Sequence, residues 1–130
     1  QFARSIFHRV EWKHCKMIGT DFSQCAFRHV FFTTCLMRYA NFNASKWEDG
    51  ICKDCDATEA SFSMLEWKQM VLEQCNFTAC ELIGTSLENI DLSSCQIEGI
   101  TVQAENLKGA IMNEQQALLC AKLLGITVKY

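Results

Sequence analysis

The sequence predicts a repeat protein whose chain winds as a four-sided coil with twenty residues per turn. Five cysteines recur at intervals of twenty residues: Cys15, Cys35, Cys55, Cys75 and Cys95. Within that period, every fifth residue from Phe2 to Met112 is apolar. A step of five smears side chains around a helix and alternates the face of a flat strand, so neither element explains the pattern. Four bends per period, each with one large apolar side chain pointing inward, do explain it.

The positions around each central apolar residue support the same coil. The residue two places before it is mostly Ser, Thr, Ala, Cys, Gly or Val, which is small enough to share the interior. Its immediate neighbours are mostly polar, as in Asp21-Phe22-Ser23. We therefore expect the central and small residues to form the core and their neighbours to face solvent.

This pattern resembles the pentapeptide repeat family, in which a small residue, a polar residue, Leu or Phe, and two polar or small residues follow one another. The match is clear in Ala40-Asn41-Phe42-Asn43-Ala44, Cys75-Asn76-Phe77-Thr78-Ala79 and Thr85-Ser86-Leu87-Glu88-Asn89, and the register is unbroken from Gln1 to Ala110. The resemblance implies an all-β solenoid, a right-handed four-sided parallel β-helix. Residues 1–112 would form about 5.5 coils, a rod of roughly 26 Å at ~4.8 Å per coil.

The cysteines fit the interior of such a coil better than a chemical site. Seven occupy the small inward position, and Cys52 occupies a central one. The pair Cys52 and Cys55 has the CxxC spacing of a zinc or redox site, but both positions point inward and no second pair completes four ligands. His8, His14 and His29 fall at outward positions. We predict structural cysteines, no metal or other cofactor, and no enzyme activity.

Residues 113–130 form a separate C-terminal unit. Asn113 is a good helix N-cap with Gln116 three residues later, and Gly125 suits a left-handed C-terminal stop. We predict a helix between them, followed by a short strand over residues 126–130. One apolar helix face is expected to cap the coil: Ala117, Cys120, Ala121 and Leu124. A second face, with Leu119 and Leu123, suggests a second subunit. A purely capping role remains the alternative.

The tail from Gln116 to Val128 resembles the C-terminus of quinolone-resistance (Qnr-type) pentapeptide repeat proteins. The resemblance implies a homodimer through Leu119, Leu123, Ile126 and Val128. It also implies binding to bacterial type II topoisomerases (DNA gyrase and topoisomerase IV) by imitation of duplex DNA, with quinolone resistance as a consequence. The unbroken register leaves no room before residue 110 for the loops that many Qnr-type proteins carry.

The charges are distributed unevenly along the rod. Residues 1–47 carry seven basic and two acidic side chains, whereas residues 48–107 carry twelve acidic and two basic ones. Over three coils, the excess of ten acids gives about one charge per 1.4 Å, near the ~1.7 Å of duplex DNA. The predicted partner-binding acids are Glu48, Asp49, Asp54, Asp56, Glu59, Glu66, Glu73, Glu88, Asp91 and Glu98. A solubilising surface, or a scaffold for a different protein partner, remains open, and a continuous DNA mimic should lack the basic segment.

Further expectations concern the rest of the surface and the location. The net charge is −3, and no apolar run or basic leader suggests a membrane span or signal peptide, so we expect a cytoplasmic protein with no direct contact to nucleic acid or membrane. Phe31, Ile51 and Val71 would stack in an outward apolar column beside Leu36. The chain begins in mid-register at Gln1, which leads us to expect a natural N-terminus further upstream.

Overall fold

The computed structural model describes all 130 residues and consists of two four-stranded parallel sheets and one α-helix. One sheet contains β1 (Ile6–His8), β3 (Ala26–Arg28), β5 (Lys46–Glu48) and β7 (Glu66–Lys68). The other contains β2 (Glu11–Lys13), β4 (Phe31–Thr33), β6 (Ile51–Lys53) and β8 (Val71–Glu73). Strand partners are twenty residues apart, as Phe7 and Phe27 are. The predicted four-sided parallel β-solenoid is confirmed.

The four sides of the coil are of two kinds. We call residues 5–9 the first side, 10–14 the second, 15–19 the third and 20–24 the fourth, each repeated every twenty residues. The first two hold the sheets. The third and fourth are turns, in which Thr20 N–H donates to Met17 O at 3.2 Å and Cys25 N–H to Phe22 O at 3.3 Å. Beyond β8 all four sides are turns, and parallel bridges continue to Ile111.

Most corners of the coil place one residue in the left-handed region, two positions after the central apolar residue; Ser94 and Ala104 are the exceptions. Arg9 and Asp54 are examples, with φ of 58° and 53°. This conformation costs a residue with a side chain about 1–2 kcal/mol. Gly19 and Gly84 occupy equivalent corners at φ of 68° and 72° without that cost. Packing therefore holds most corners in a conformation that their residue types do not favour.

The interior is built from stacked columns of identical positions. Phe22 and Phe42 stack with ring centroids 5.0 Å apart, and Phe42 and Phe62 at 4.9 Å. The small inward residues donate hydrogen bonds to the previous coil: the thiol of Cys80 reaches Ala57 O at 3.0 Å, and the hydroxyl of Thr85 reaches Phe62 O at 2.5 Å. A short side chain with a donor satisfies this position, which explains why cysteine, serine and threonine recur there.

The C-terminal unit closes one end of the solenoid. A 3₁₀ turn over Ala104–Leu107 precedes α1 (Glu114–Leu123). Asn113 and Gln116 form the predicted capping box, in which each side chain accepts the backbone N–H of the other at 2.9 Å. Gln116 Nε2 also donates to Leu92 O at 2.7 Å and to Cys95 O at 2.8 Å. One glutamine thus starts the helix and fastens it to the last complete coil.

The predicted capping face is right for Cys120 but wrong for Ala117 and Leu124, and the predicted strand is absent. The buried helix positions are Gln116 and Cys120, with Leu119 packed against the core, whereas Ala117 and Leu124 are exposed. Hydrophobicity could not identify the buried face because its central contact is an amide that satisfies two carbonyls. The short strand over residues 126–130 does not form: the segment pairs with no other part of the chain, as a strand must.

No helix of the protein is long and apolar enough to cross a membrane, since α1 has ten residues.

Candidate partner-binding surface

The ten predicted binding acids lie on three sides of the rod. Four are on the first side: Glu48, Asp49, Glu66 and Glu88. Three are on the second side: Asp54, Glu73 and Asp91. Three are on the third side: Asp56, Glu59 and Glu98. The structure therefore brings them together as a band around the rod rather than as one stripe.

Basic side chains offset the acids of the first side. Lys46 Nζ lies 3.8 Å from Glu66 Oε2, and both side chains are exposed. In the neighbouring outward row, Arg28, Glu48 and Lys68 occupy consecutive coils, so the charge alternates. The first side carries as many basic as acidic residues. It is therefore a poor imitation of a polyanion.

The acids of the second side have one basic neighbour, Lys53, and form no ion pair. Asp54, Glu73 and Asp91 are exposed, and none forms an ion pair. They occupy three consecutive coils, one acid per coil, hence ~4.8 Å apart along the axis. Their registers place all three on this one side of the rod. Lys53, paired in register with Glu73, is the basic residue among them.

Two of the ten acids also stabilise turns. The carboxylate of Asp56 accepts the Thr58 hydroxyl at 2.6 Å and Arg38 Nε at 2.7 Å. Partial burial opposes these bonds, but together they lower the pKa of Asp56. Ser93 donates its hydroxyl to Asp91 at 2.6 Å, and this bond lowers the pKa of Asp91. Aspartate at these positions has a local structural explanation besides any binding role.

The apolar column predicted on the surface is present. Phe31, Ile51 and Val71 pair in parallel register on the second side, and Val71 is 42% exposed. Leu36 lies exposed on the adjoining third side. The column and the unpaired acids therefore belong to the same side of the rod.

A trough along the first side was missed in the sequence. It encloses about 690 Å³ and runs between the two outward rows of β1, β3, β5 and β7, with Trp47 and Trp67 in its floor. The indole of Trp67 is half-buried there and donates to Ser86 O at 2.8 Å. The outward side chains that border the trough include both basic and acidic residues. The sequence pattern is the same on all four sides, so it could predict this trough only if the sides that form strands were already known.

The cysteines lie where the repeat places them, and all nine are free thiols. Cys52 and Cys55 are both buried, at a central and a small inward position. No group of three or more His, Cys, Asp or Glu side chains is arranged to hold a metal ion. Burial raises the pKa of Cys35 to about 11 and that of Cys80 to about 12. The neighbouring side chains of Cys55 and Cys95, together with burial, raise the pKa of Cys75.

The residues predicted for dimerisation are only partly free. Leu119 packs against the solenoid core, and Val128 is partly buried. Leu123 and Ile126 are 48% and 54% exposed, and Leu124 beside them is 47% exposed. An apolar patch of Leu123, Leu124 and Ile126 therefore faces solvent at the C-terminal end. We call it the tail patch.

Comparison with known proteins agrees with this architecture. The chain matches the pentapeptide repeat region over residues 5–76 and pentapeptide repeats in eight copies over residues 68–101. The chain belongs to the pentapeptide repeat family. No curated protein sequence matches it.

Solved structures with the same fold come from proteins of different roles. A pentapeptide repeat protein from the Arabidopsis thaliana thylakoid lumen has a TM-score of 0.62 at 14% identity, over 93% of this chain and 77% of that one. HetL, involved in heterocyst differentiation regulation in the cyanobacterium Nostoc, has 0.60 at 16%, over 85% and 50%. A trypsin-treated variant of QnrB1, a plasmid-mediated fluoroquinolone resistance protein, has 0.54 at 16%, over 99% and 92%. At these identities the likeness concerns the fold.

Proposed function

We propose that this protein is a non-catalytic binding protein whose acidic half imitates duplex DNA, with a bacterial type II topoisomerase, DNA gyrase or topoisomerase IV, as its partner. The observation that carries the proposal is the group of acids without ion pairs on the second side, Asp54, Glu73 and Asp91, one in each of three consecutive coils within a segment of DNA-like charge density. The fold shared with QnrB1 supports the choice of partner.

The rigidity of the rod favours this mode of binding. The acids project from a closed ladder of backbone hydrogen bonds, as between Asp54 N–H and Glu73 O at 3.0 Å. Their spacing is therefore set before binding, and little conformational entropy is lost on contact. A DNA-binding groove lined with Lys and Arg would meet one fixed carboxylate per coil, with Glu59 and Glu98 of the third side beside them. Such a contact weakens with salt because the charges are exposed.

We also propose that the tail patch joins two copies end to end. Leu123, Leu124 and Ile126 together expose more apolar surface than a capping helix requires. A dimer of this kind places two acidic halves beside the junction and doubles the length of the negative rod. The cytoplasm, where topoisomerases act on DNA, is the compartment that this function requires.

A second candidate is a scaffold that binds a different protein. The observation that favours it is the apolar column of Phe31, Ile51 and Val71, which a DNA-binding groove has no reason to recognise. The mixed charge of the first side and the basic first 47 residues point the same way. The two candidate functions can be separated because only DNA mimicry requires the acids of the second side for binding.

The test is inhibition of DNA supercoiling by purified gyrase, and of decatenation by topoisomerase IV. A second-side variant combines Asp54→Lys and Glu73→Lys with Asp91→Asn, because asparagine retains the turn made by Asp91. A first-side control combines Glu48→Lys and Glu66→Lys with Glu88→Gln, which changes the net charge by the same amount. The proposal expects the first variant to lose inhibition by at least about tenfold and the control to keep it.

Either of two results would overturn the proposal. One is a wild-type protein that fails to bind gyrase and topoisomerase IV at low salt. The other is equal inhibition by the second-side variant and the wild type. If Phe31→Ser and Val71→Ser instead abolish capture of a partner that the acid variants retain, the scaffold function takes its place.

A further inference from the structure

We infer that the trough along the first side binds an extended segment of a partner protein in which an acidic, an apolar and a basic residue occupy alternate positions. The part of the trough that recognises this segment spans four successive coils, between residues 26 and 89. It lies on a different side of the rod from Asp54, Glu73 and Asp91, so binding there does not rest on the proposed function.

The width of the trough selects an extended chain. Its borders are the residues immediately before and after each central residue, which are two positions apart in a strand and hence ~6.6 Å apart. An extended backbone fits this gap, since neighbouring strands in a sheet lie ~4.8 Å apart. An α-helix, at about 10–12 Å across with its side chains, is too wide to enter.

Charges cancel across the middle of the trough. In β5, Lys46 lies opposite Glu48. In β7 the order is reversed, and Glu66 lies opposite Lys68. Lys46 and Glu66 also form an ion pair along the rod, with Nζ and Oε2 3.8 Å apart. Each of these two strands therefore borders the trough with one base and one acid, which favours an uncharged residue of the ligand between them.

The two ends of this part of the trough carry single charges. In β3, Arg28 lies opposite the small Ala26. In the coil that follows β7, Glu88 lies opposite the small Ser86. Arg28 and Glu88 are exposed, and neither forms an ion pair. A ligand therefore meets a cation at one end and an anion at the other, and neither charge is neutralised across the trough.

The distance between the two end charges sets the spacing within the ligand. Arg28 and Glu88 are three coils apart, hence ~14 Å along the rod. Residues i and i+4 of an extended chain are ~13 Å apart and project from the same face. An acid at i would meet Arg28, and a base at i+4 would meet Glu88. Residue i+2 would then lie above β5 and β7, where the half-buried indole of Trp67 forms part of the floor and favours an apolar side chain.

The experiment measures binding of fluorescein-labelled peptides with blocked ends to the full chain by fluorescence anisotropy at low salt. The mixed peptide, Asp-Thr-Leu-Thr-Lys, should bind about fivefold or more tightly than the same peptide with Asp at both charged positions or Lys at both. Replacement of both Thr residues by α-aminoisobutyrate favours a helix and should weaken binding of the mixed peptide by a similar factor. Equal binding of the mixed and like-charged peptides, or of the extended and helical ones, would overturn the proposal.

Reversal of one end charge should change which peptide is preferred. Arg28→Glu makes both ends acidic, so this variant should prefer the peptide with two Lys residues over the mixed one. Glu88→Lys makes both ends basic and should prefer the peptide with two Asp residues. Each preference compares two peptides on one variant, so a loss of stability alone does not imitate it.

Matched controls carry the same change in net charge on other sides of the rod. Lys53→Glu on the second side is the control for Arg28→Glu, and Glu81→Lys on the fourth side is the control for Glu88→Lys. Both controls should still prefer the mixed peptide. The same shift of preference in variants and controls would mean that net charge alone decides binding, and an unchanged preference in the two trough variants would mean that the peptide binds elsewhere. Either result overturns the proposal.

Discussion

The replacement Ser45→Ala tests how much the polar bonds inside the coil stabilise it. Ser45 is fully buried, and its hydroxyl donates to Phe42 O at 2.5 Å while accepting the Trp47 indole N–H at 2.8 Å. Alanine removes both bonds and leaves the indole N–H buried without an acceptor. A buried hydrogen bond contributes about 1 kcal/mol, and an orphaned donor costs about 1–3 kcal/mol. The free energy of unfolding should therefore fall by roughly 2–3 kcal/mol.

A double-mutant cycle separates the indole bond from the rest of the effect. Phenylalanine at position 47 has no N–H, so Ser45→Ala in the Trp47→Phe background should cost about 1–2 kcal/mol less than in the wild type. Urea unfolding followed by far-ultraviolet circular dichroism measures all four proteins without relying on tryptophan fluorescence. If Ser45→Ala costs the same in both backgrounds within about 0.5 kcal/mol, the indole bond does not stabilise the coil and the reasoning is refuted.

Four further predictions concern buried polar groups and thiols. Val10→Thr offers an acceptor to the buried Trp12 indole N–H, which has no partner, and should raise the free energy of unfolding by up to about 1 kcal/mol. Val30→Thr is the control, because Phe32 two residues later has no side-chain N–H to bind, and it should lower the free energy of unfolding by about 1 kcal/mol. Equal destabilisation by both changes in a urea titration would contradict the prediction. Gln116→Met should destabilise by about 2 kcal/mol and speed hydrogen exchange in residues 113–123 alone, with the exposed Gln115→Met as the unaffected control. Iodoacetamide at pH 8 should modify the half-buried Cys15 first and reach Cys35 and Cys80 only in urea, as mass spectrometry would show. Because the raised pKa values of Cys35 and Cys80 favour the neutral thiol in the folded state, their contribution to stability is complete below the unfolded value of 9.0 and declines as the pH rises toward about 11 and about 12.

Most of the fold follows from the sequence because every coil repeats the same physical requirement. A large apolar side chain such as Phe42 must stack on Phe22 and Phe62, and a small one must fit beside it. A single register therefore determines which residues are buried from one end of the coil to the other. The sequence does not distinguish strand sides from turn sides, because both take the same five-residue pattern; Trp47 in a strand and Phe42 in a turn occupy equivalent positions.

The tail and the binding surface were harder to predict for different reasons. Gln116 is buried because it satisfies two carbonyls of the preceding coil, a contact that depends on the three-dimensional position of Leu92 and Cys95. The five-residue register alone places Asp54, Glu73 and Asp91 on one side, since their spacing fixes their side. It did not show that Lys46 would offset Glu66 and leave the second side as the more acidic surface.

Because hydrogen bonds join each residue to the coil twenty positions later, one whole coil can be removed or duplicated without disturbing the rest of the fold. Removal or duplication of one whole coil, for example residues 48–67, returns the chain to the same corner and restores every column of the core. The rod would change length by ~4.8 Å while its cross-section stayed the same. An insertion of a single residue shifts Trp47 or its equivalents to the outward position beside the central one and disrupts all four columns beyond it. Insertion or deletion of sixty nucleotides in the gene therefore adds or removes one coil. Recombination can adjust the length of the charged rod in such steps.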